Sequence, residues 1–519
     1  MLDVRLAGHN IDSDVLEKLK KQGWDGKENL TPETISAAYA RISRDPRPIY
    51  DLRKDSREEV DRARKSNESI VFKMGHHSVA EHAYLNFDIL GISRLAVEFL
   101  EEARLCSYTE KSQRYITLDG DYVMPAEFNA QEKALFKETV EFQVDAYNKA
   151  FPVLHEYQKE IHKEKLAAKT GQNMVEGWAK EDARYMVSLA TECQLGFSTN
   201  ARNLEYIIRK LKYSGLDEVR QLSKMLYERA KAVVPSLIIL SDPEDFKKQF
   251  GWDVSDGFLK NGADKSAVLA RKALKAAACP KKERRAGVRL VSHTHSPDTS
   301  VLAAVIHSNS TRPYDECYAA AKKAKTNPGF WREFFSGLNA YDSLPRAFEA
   351  ANFVFEAVVS AGAFGQLKRH RMLTLLKQPY DTSLGVTVPP SVDAAGQRKL
   401  FDGVMQHSES AYKKLAHNHG PRAEYALTNA HRRRIYINTN LREIYHIARL
   451  RMDSHAQWDI QNVSADMVKE AQKAAPISAA LVCGKDGFEA AYKSFMKVQN
   501  KADKGPVKRG KIKRRAGRR

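Results

Sequence analysis

The sequence predicts an α+β protein built from two tandem units, each with several long helices and a few short strands. Three observations carry that expectation. The chain has 519 residues, more than one ordinary core holds, since domains run to roughly 100–200 residues. It repeats itself faintly, and amphipathic helical patterns dominate both halves with short β-like runs between them.

The repeat has three anchors. Val4-Arg5-Leu6 recurs as Val288-Arg289-Leu290, residues 92–107 recur as 359–374, and residues 197–211 recur as 437–451. Arg104 then matches Arg371, and Asn200 and Arg202 match Asn440 and Arg442. The offset falls from 284 through 267 to 240 along the chain, as connecting loops of unequal length would make it. The expected units are 1–250 and 287–500, joined by a basic linker or helix at 251–286 and followed by a disordered basic tail at 501–519.

Element by element, Ile92, Leu95, Ala96, Phe99, Leu100 and Ala103 recur at helical spacing and predict a helix there. Tyr122-Val123-Met124-Pro125 and Gly385-Val386-Thr387-Val388-Pro389 read as short strands. Residues 260–287 hold nine Lys/Arg against two acids in an Ala-rich stretch, which reads as a basic helix or linker.

Composition narrows the class. Hydrophobic residues make up 43%, charged residues 29% and aromatics 9%, an ordinary globular balance that excludes a fibrous or largely disordered chain. The net charge is +19, of which the ten Lys/Arg and one acid of 501–519 supply nine. That tail could contact nucleic-acid phosphates, although no aromatic is interleaved to stack on bases. Five scattered cysteines without CxxC spacing point to a reducing compartment. The start has no signal-peptide pattern and no apolar run spans a bilayer, so a cytoplasmic protein with no membrane partner is expected.

The densest polar cluster is MGHHSVAEH at 74–82. Three histidines and Glu81 invite a metal reading, but three residues separate His77 from the Glu81-His82 pair where the inverted zinc-protease pattern has two. A helix N-terminus capped by Ser78, with no metal, is the reading preferred. Two further clusters are RLCSYTEKSQRY at 104–115 and RHRMLTLLKQPYD at 369–381.

Taken together, GHHSVAEH, the spacing from Ser93-Arg94 to Arg104, the S-x4-S-x-RY run ending at Arg114-Tyr115, and the NAR and HAQW segments resemble the flavin-dependent thymidylate synthase family. The resemblance covers roughly 70–210 and 340–460, and it is split. The first unit keeps Glu110, Ser112, Gln113, Arg114 and Arg184 but has Glu102-Ala103 where the family's RHR begins. The second keeps Gln366, Arg369-His370-Arg371, Asn440, Arg442 and Arg451, but has Lys377, Pro379, Asp381 and Glu424 where the first has Glu110, Ser112, Arg114 and Arg184.

The resemblance implies two units of the thymidylate synthase complementing fold, each a mixed or antiparallel sheet with long helices. It implies conversion of dUMP to dTMP with FAD as cofactor and with methylenetetrahydrofolate and NADPH as co-substrates. Substrate would be held by Gln366, Arg369, Glu110, Ser112, Gln113, Arg114, Arg184 and Arg451, with Arg451 and Ser112 as the catalytic pair. Flavin would be held by Ser78, Glu81, Arg369, His370, Arg371, Asn440, Arg442 and His446, with Asn200 and Arg202 as further candidates. Because the family's sites lie between subunits of a tetramer, one composite site shared by the two units is expected, in a homodimer that imitates the tetramer. The alternatives are a degenerate flavin- or nucleotide-binding relic and a nucleic-acid-binding protein acting through the tail.

Overall fold

A computed structural model describes residues 1–23, 30–114, 116, 118, 120–251, 257–277 and 287–503. It contains two four-stranded antiparallel sheets of the same order. The first comprises β1 (Asp3–His9), β2 (Tyr84–Ser93), β3 (Ser107–Glu110) and β4 (Glu192–Asn200), arranged β1-β2-β4-β3. The second comprises β5 (Gly287–His293), β6 (Asn352–Ser360), β7 (Leu373–Lys377) and β8 (Arg432–Asn440), arranged β5-β6-β8-β7. The α+β duplication expected from the sequence is therefore present, strand for strand.

Each sheet buries one face because its strands alternate. In β2, Leu85, Phe87 and Ile89 are buried, and β4 adds Leu195 and Phe197. In β6 and β8 the same role falls to Phe353, Phe355, Ala357, Ile435 and Ile437.

Register accounts for one residue of the drift in repeat offset, and the β1–β2 connection accounts for the fall from 284 to 268. Leu6 pairs with Phe87 and Leu290 with Phe355, an offset of 268 across the central strands. After the irregularity between Ile89 and Ile92 the offset is 267, so β2 carries one extra residue. The bulge includes Gly91, whose φ is +69°. A Cβ there would meet the Met1 carbonyl oxygen at 2.3 Å. Gly91→Ala should therefore destabilise the fold by roughly 1–3 kcal/mol, combining left-handed strain with a backbone clash, read as a lowered urea midpoint.

Both central strands end in the same corner. Ser93 caps helix Arg94–Leu100 by accepting from Ala96 N, and Ser360 caps helix Ala361–Leu367 by accepting from Ala363 N. Each cap hydroxyl also donates to a buried carboxylate, Ser93 to Glu218 at 2.7 Å and Ser360 to Asp459 at 2.5 Å. The sequence pattern placed a helix from Ile92 onward, whereas Ile92 and Ser93 belong to the strand. Apolar spacing cannot distinguish the end of a buried strand from the first turn of a buried helix. Neither expected short strand forms: Tyr122 makes one isolated bridge to Thr191, and Thr387 makes one ladder-like bond to Ala430 O at 2.9 Å. Pro125 and Pro389 lack the N–H needed to extend either contact.

The chain divides into two compact units that do not follow chain order: Met1–Glu283 with Val386–Ala430, and Arg284–Gly385 with His431–Arg519. Val386–Ala430 contains helix Arg398–His419, which packs in the first unit against helix Ala130–Ile161. Gln143 Nε2 donates to Ser408 Oγ at 2.8 Å and to Ala426 O at 2.9 Å across that pair. At its end Glu132 accepts from Asn129 N, completing a capping box, and also receives Asn418 Nδ2 and His419 Nε2 at 2.8 Å each.

These contacts, led by the Asn418 hydrogen bond and then the Asn129 N–H, hold the Glu132 carboxyl at about 2 against an ordinary 4.5. Its contribution to stability is full above the ordinary value and is lost as pH falls toward the depressed one. The stability gap between wild type and Glu132→Gln should accordingly narrow as pH falls below about 4.5, measured by urea denaturation.

Helix Gly257–Ala276 occupies the basic linker, and helix Phe488–Asp503 runs into the expected tail. Residues 252–256 and 278–286 of the linker and the tail beyond residue 503 lie outside the described residues. Among the described residues no helix is long and apolar enough to cross a membrane.

Candidate functional site

In the first unit the residues matching the S-x4-S-x-RY run gather where β3 and helix Lys169–Ala183 end. Glu110 closes β3, and its buried carboxylate lies 3.9 Å from the buried Arg94 guanidinium. Ser112 Oγ accepts from Arg114 N at 3.1 Å, a short side-chain turn that fixes the following loop. Arg114 pairs with Glu181, and Gln113 Oε1 accepts from Asn429 Nδ2 at 3.2 Å. Tyr115 lies outside the described residues.

Arg184 opens the turn Arg184–Met186 that ends helix Lys169–Ala183, three residues beyond Glu181. Its carbonyl accepts from Asn429 Nδ2 at 3.0 Å. Its side chain is buried, the residue being 8% exposed, yet Nε and Nη2 meet no acceptor among the described residues. Burial pushes the guanidinium's pKa down, Tyr185 and Glu181 oppose that, and Arg114 and Arg94 reinforce it. Burial likewise pushes the Glu181 carboxyl up, against Arg114 and Arg184. Arg114 and Arg184 thus both act on Glu181, and Arg94 faces Glu110. The orphaned buried donors of Arg184 suit an anion with several oxygens, which a planar guanidinium binds in a forked geometry.

In the second unit, Arg369-His370-Arg371 forms the corner between helix Ala361–Leu367 and β7. Arg369 and Arg371 are exposed, whereas His370 is 3% exposed. Gln366, on the last turn of that helix, donates to Gln457 Oε1 at 3.1 Å, and its own Oε1 is buried with no donor among the described residues. Arg451 ends helix Leu441–Arg451 and donates from Nε to His370 Nε2 at 3.1 Å. The other ring nitrogen of His370, Nδ1, lies 3.1 Å from Glu443 Oε1. His446 meets the His370 ring edge to face at 5.6 Å between centroids. Burial pushes the His446 pKa down and the Glu443 carboxyl up.

The remaining sequence-selected residues lie elsewhere. Asn200 and Asn440 cap helices Ala201–Leu211 and Leu441–Arg451 by accepting from Asn203 N and Glu443 N, each at 2.9 Å. Arg202 pairs with Glu81 at 2.5 Å, at the opposite end of β4 from the Glu192 terminus, so that set is not gathered with Arg114 and Arg184. Ser78 sits within the turn His77–His82, whose cap position is His76 and carries no side-chain cap bond; the expected Ser78 cap is absent because the turn begins two residues earlier than such a cap requires. The second unit does have a counterpart to this turn, Arg346–Ala350, in which Glu349 pairs with Arg442 at 3.3 Å as Glu81 pairs with Arg202. Only the carboxylate survives in sequence, which hid the equivalence.

Positions that lost the family residues have taken structural work. Glu102 pairs with Lys210 at 2.5 Å, and Asp381 caps the turn Thr382–Leu384 through Ser383 N at 2.8 Å. Two residues that matter were missed by sequence reasoning, Glu181 and Glu443. Each precedes a selected basic residue, Arg184 or His446, by three positions at or on a helix, the spacing that puts two side chains on one face.

Fold and clusters together define a tandemly duplicated α+β protein with one basic cluster in each unit. The family model described as thymidylate synthase complementing protein matches residues 27–236 and 289–477, well over half the chain, and the chain belongs to that family in a tandem form. A UPF0159 protein of Thermoplasma acidophilum is 25% identical over 86% of this chain and 94% of its own length. A UPF0159 protein of Chlamydia muridarum is 25% identical over 82% of this chain and 79% of its own. A flavin-dependent thymidylate synthase of Clostridium tetani is 32% identical over 41% of this chain and 83% of its own length.

Proposed function

We propose that the chain converts dUMP to dTMP with FAD, methylenetetrahydrofolate and NADPH. The nucleotide phosphate is taken by Arg114, Arg184 and Ser112 of the first unit, and the flavin and pyrimidine by Gln366, Arg369, Arg371 and Arg451 of the second. The observation that carries this reading is the buried Arg184 guanidinium with Nε and Nη2 lacking acceptors among the described residues. A phosphate oxygen supplies what those donors lack, and a charge-assisted forked contact is the strong form of such a bond.

The donor set of the second unit suits a flavin and a pyrimidine as well. Exposed Arg369 and Arg371 flank the corner and can meet phosphate groups, and the buried Gln366 Oε1 can accept a ring N–H. When bound, the flavin supplies the hydride and the folate supplies the one-carbon unit. The protein's own share is position and field. Arg451 places a permanent cation where negative charge develops on the pyrimidine ring, which lowers the barrier without a covalent protein nucleophile. Both residue sets serve the same reaction, whichever copy of the chain supplies each.

The test is the visible spectrum of the purified protein with FAD, followed through a dUMP titration. A bound-flavin band that shifts on adding dUMP is the expected result. A free-flavin spectrum indifferent to dUMP contradicts the proposal, and the chain would then be a relic that keeps the scaffold alone.

A further inference from the structure

The second unit contains a chain of contacts that the repeat does not predict. Glu443, His370 and Arg451 are linked in series, with 3.1 Å from Glu443 Oε1 to His370 Nδ1 and 3.1 Å from His370 Nε2 to Arg451 Nε. An arginine Nε only donates, so His370 Nε2 must be the accepting nitrogen and Nδ1 must carry the proton. Nδ1–H therefore donates to Glu443. The carboxylate is itself placed by the helix cap, since Glu443 N donates to Asn440 Oδ1 at 2.9 Å.

We propose that Glu443 is a positioning residue that locks His370 in its Nδ1–H tautomer, so that His370 Nε2 holds the Nε of Arg451 and sets the orientation of its guanidinium. With Nε committed to His370, the side-on fork of Nε and Nη is closed to the ligand. The tautomer half of the inference stands without any ligand, while the identity of the group that meets Arg451 rests on the function proposed above.

His370, Glu443 and His446 also place possible metal-ligating atoms within 4.8 Å of one another. The arrangement favours the relay over a cation. Arg451 occupies His370 Nε2, while Arg442 and Arg449 bring further positive charge to the same cluster. Metal binding is accordingly an outcome that the experiment must exclude.

The experiment uses the full chain labelled with 15N-histidine, with the His370 signals identified by comparison with His370→Asn. At neutral pH the expected spectrum shows a protonated Nδ1 and a pyridine-type Nε2 for His370. Glu443→Gln, whose amide oxygen still accepts, should preserve it, whereas Glu443→Ala should give mixed tautomers. In parallel, Glu443→Ala should weaken dUMP binding about tenfold and Glu443→Gln only slightly, the range expected when an orienting partner is lost. His370 protonated at Nε2, a Glu443→Ala spectrum identical to wild type, or displacement of the His370 signals by one equivalent of Zn2+ would overturn the proposal. Wild-type protein that shows the tautomer but binds no dUMP would sink the functional reading and leave the relay standing. Circular dichroism of each variant separates these results from misfolding.

Discussion

Replacing Arg184 with Ala is expected to weaken dUMP binding by roughly a hundredfold, about 2.7 kcal/mol at 25 °C. The size follows from where the guanidinium sits. It is buried, its Nε and Nη2 meet no acceptor among the described residues, and Arg114 and Arg94 share the same enclosure. A ligand oxygen that meets such donors exchanges no existing protein hydrogen bond for the new one, so nearly the full charge-assisted bond contributes. Arg184→Lys should recover only part of the loss, because an ammonium keeps the charge but not the planar fork. Isothermal titration with dUMP checks both variants, and titration with deoxyuridine should show little difference between either variant and wild type. Equal losses for nucleoside and nucleotide would remove the phosphate from Arg184.

Arg451→Ala should lower turnover by roughly a hundred- to a thousandfold, the range seen when one preorganised electrostatic donor is removed. FAD binding should survive, since Arg369 and Arg371 are untouched and exposed. The burial of His370 and its bond to Arg451 make the variant informative about structure as well. Without the guanidinium, His370 Nε2 loses that donor, while the Glu443 contact at Nδ1 remains. Single-turnover flavin oxidation with dUMP and methylenetetrahydrofolate measures the chemical step separately from product release. A variant that turns over at the wild-type rate would show that Arg451 meets no developing charge.

Much of the fold was legible because duplication writes itself twice. Val4-Arg5-Leu6 and Val288-Arg289-Leu290 mark the equivalent edge strands β1 and β5, and Asn200 and Asn440 mark the equivalent helix caps. The extra residue near Gly91 was illegible, since a bulge is specified by φ and by the close Met1 carbonyl rather than by a hydrophobic pattern. The assignment of 386–430 to the first compact unit was equally hidden. It depends on contacts such as Gln143 with Ser408, 265 positions apart, and no local propensity encodes the partner of a helix.

The candidate residues were legible in the same uneven way. Arg114 and Arg184 stood out through family spacing, and the structure brings both onto Glu181. Glu443 did not stand out, because its link to His370 crosses 73 positions and the family pattern is silent there. Glu81 and Arg202 were selected, but the structure pairs them with each other, away from the Arg114 cluster. Pairing across a turn and pairing with a ligand call for the same residue types, so sequence alone cannot separate them.

The proposed reaction draws on residues of both units. Its most direct test is dTMP formation from dUMP, with FAD, NADPH and methylenetetrahydrofolate present, by wild type, Arg114→Ala and Arg451→Ala. Product is expected with wild type and its loss with either single substitution, although Arg114 and Arg451 belong to different units. Undiminished product from either variant would contradict it.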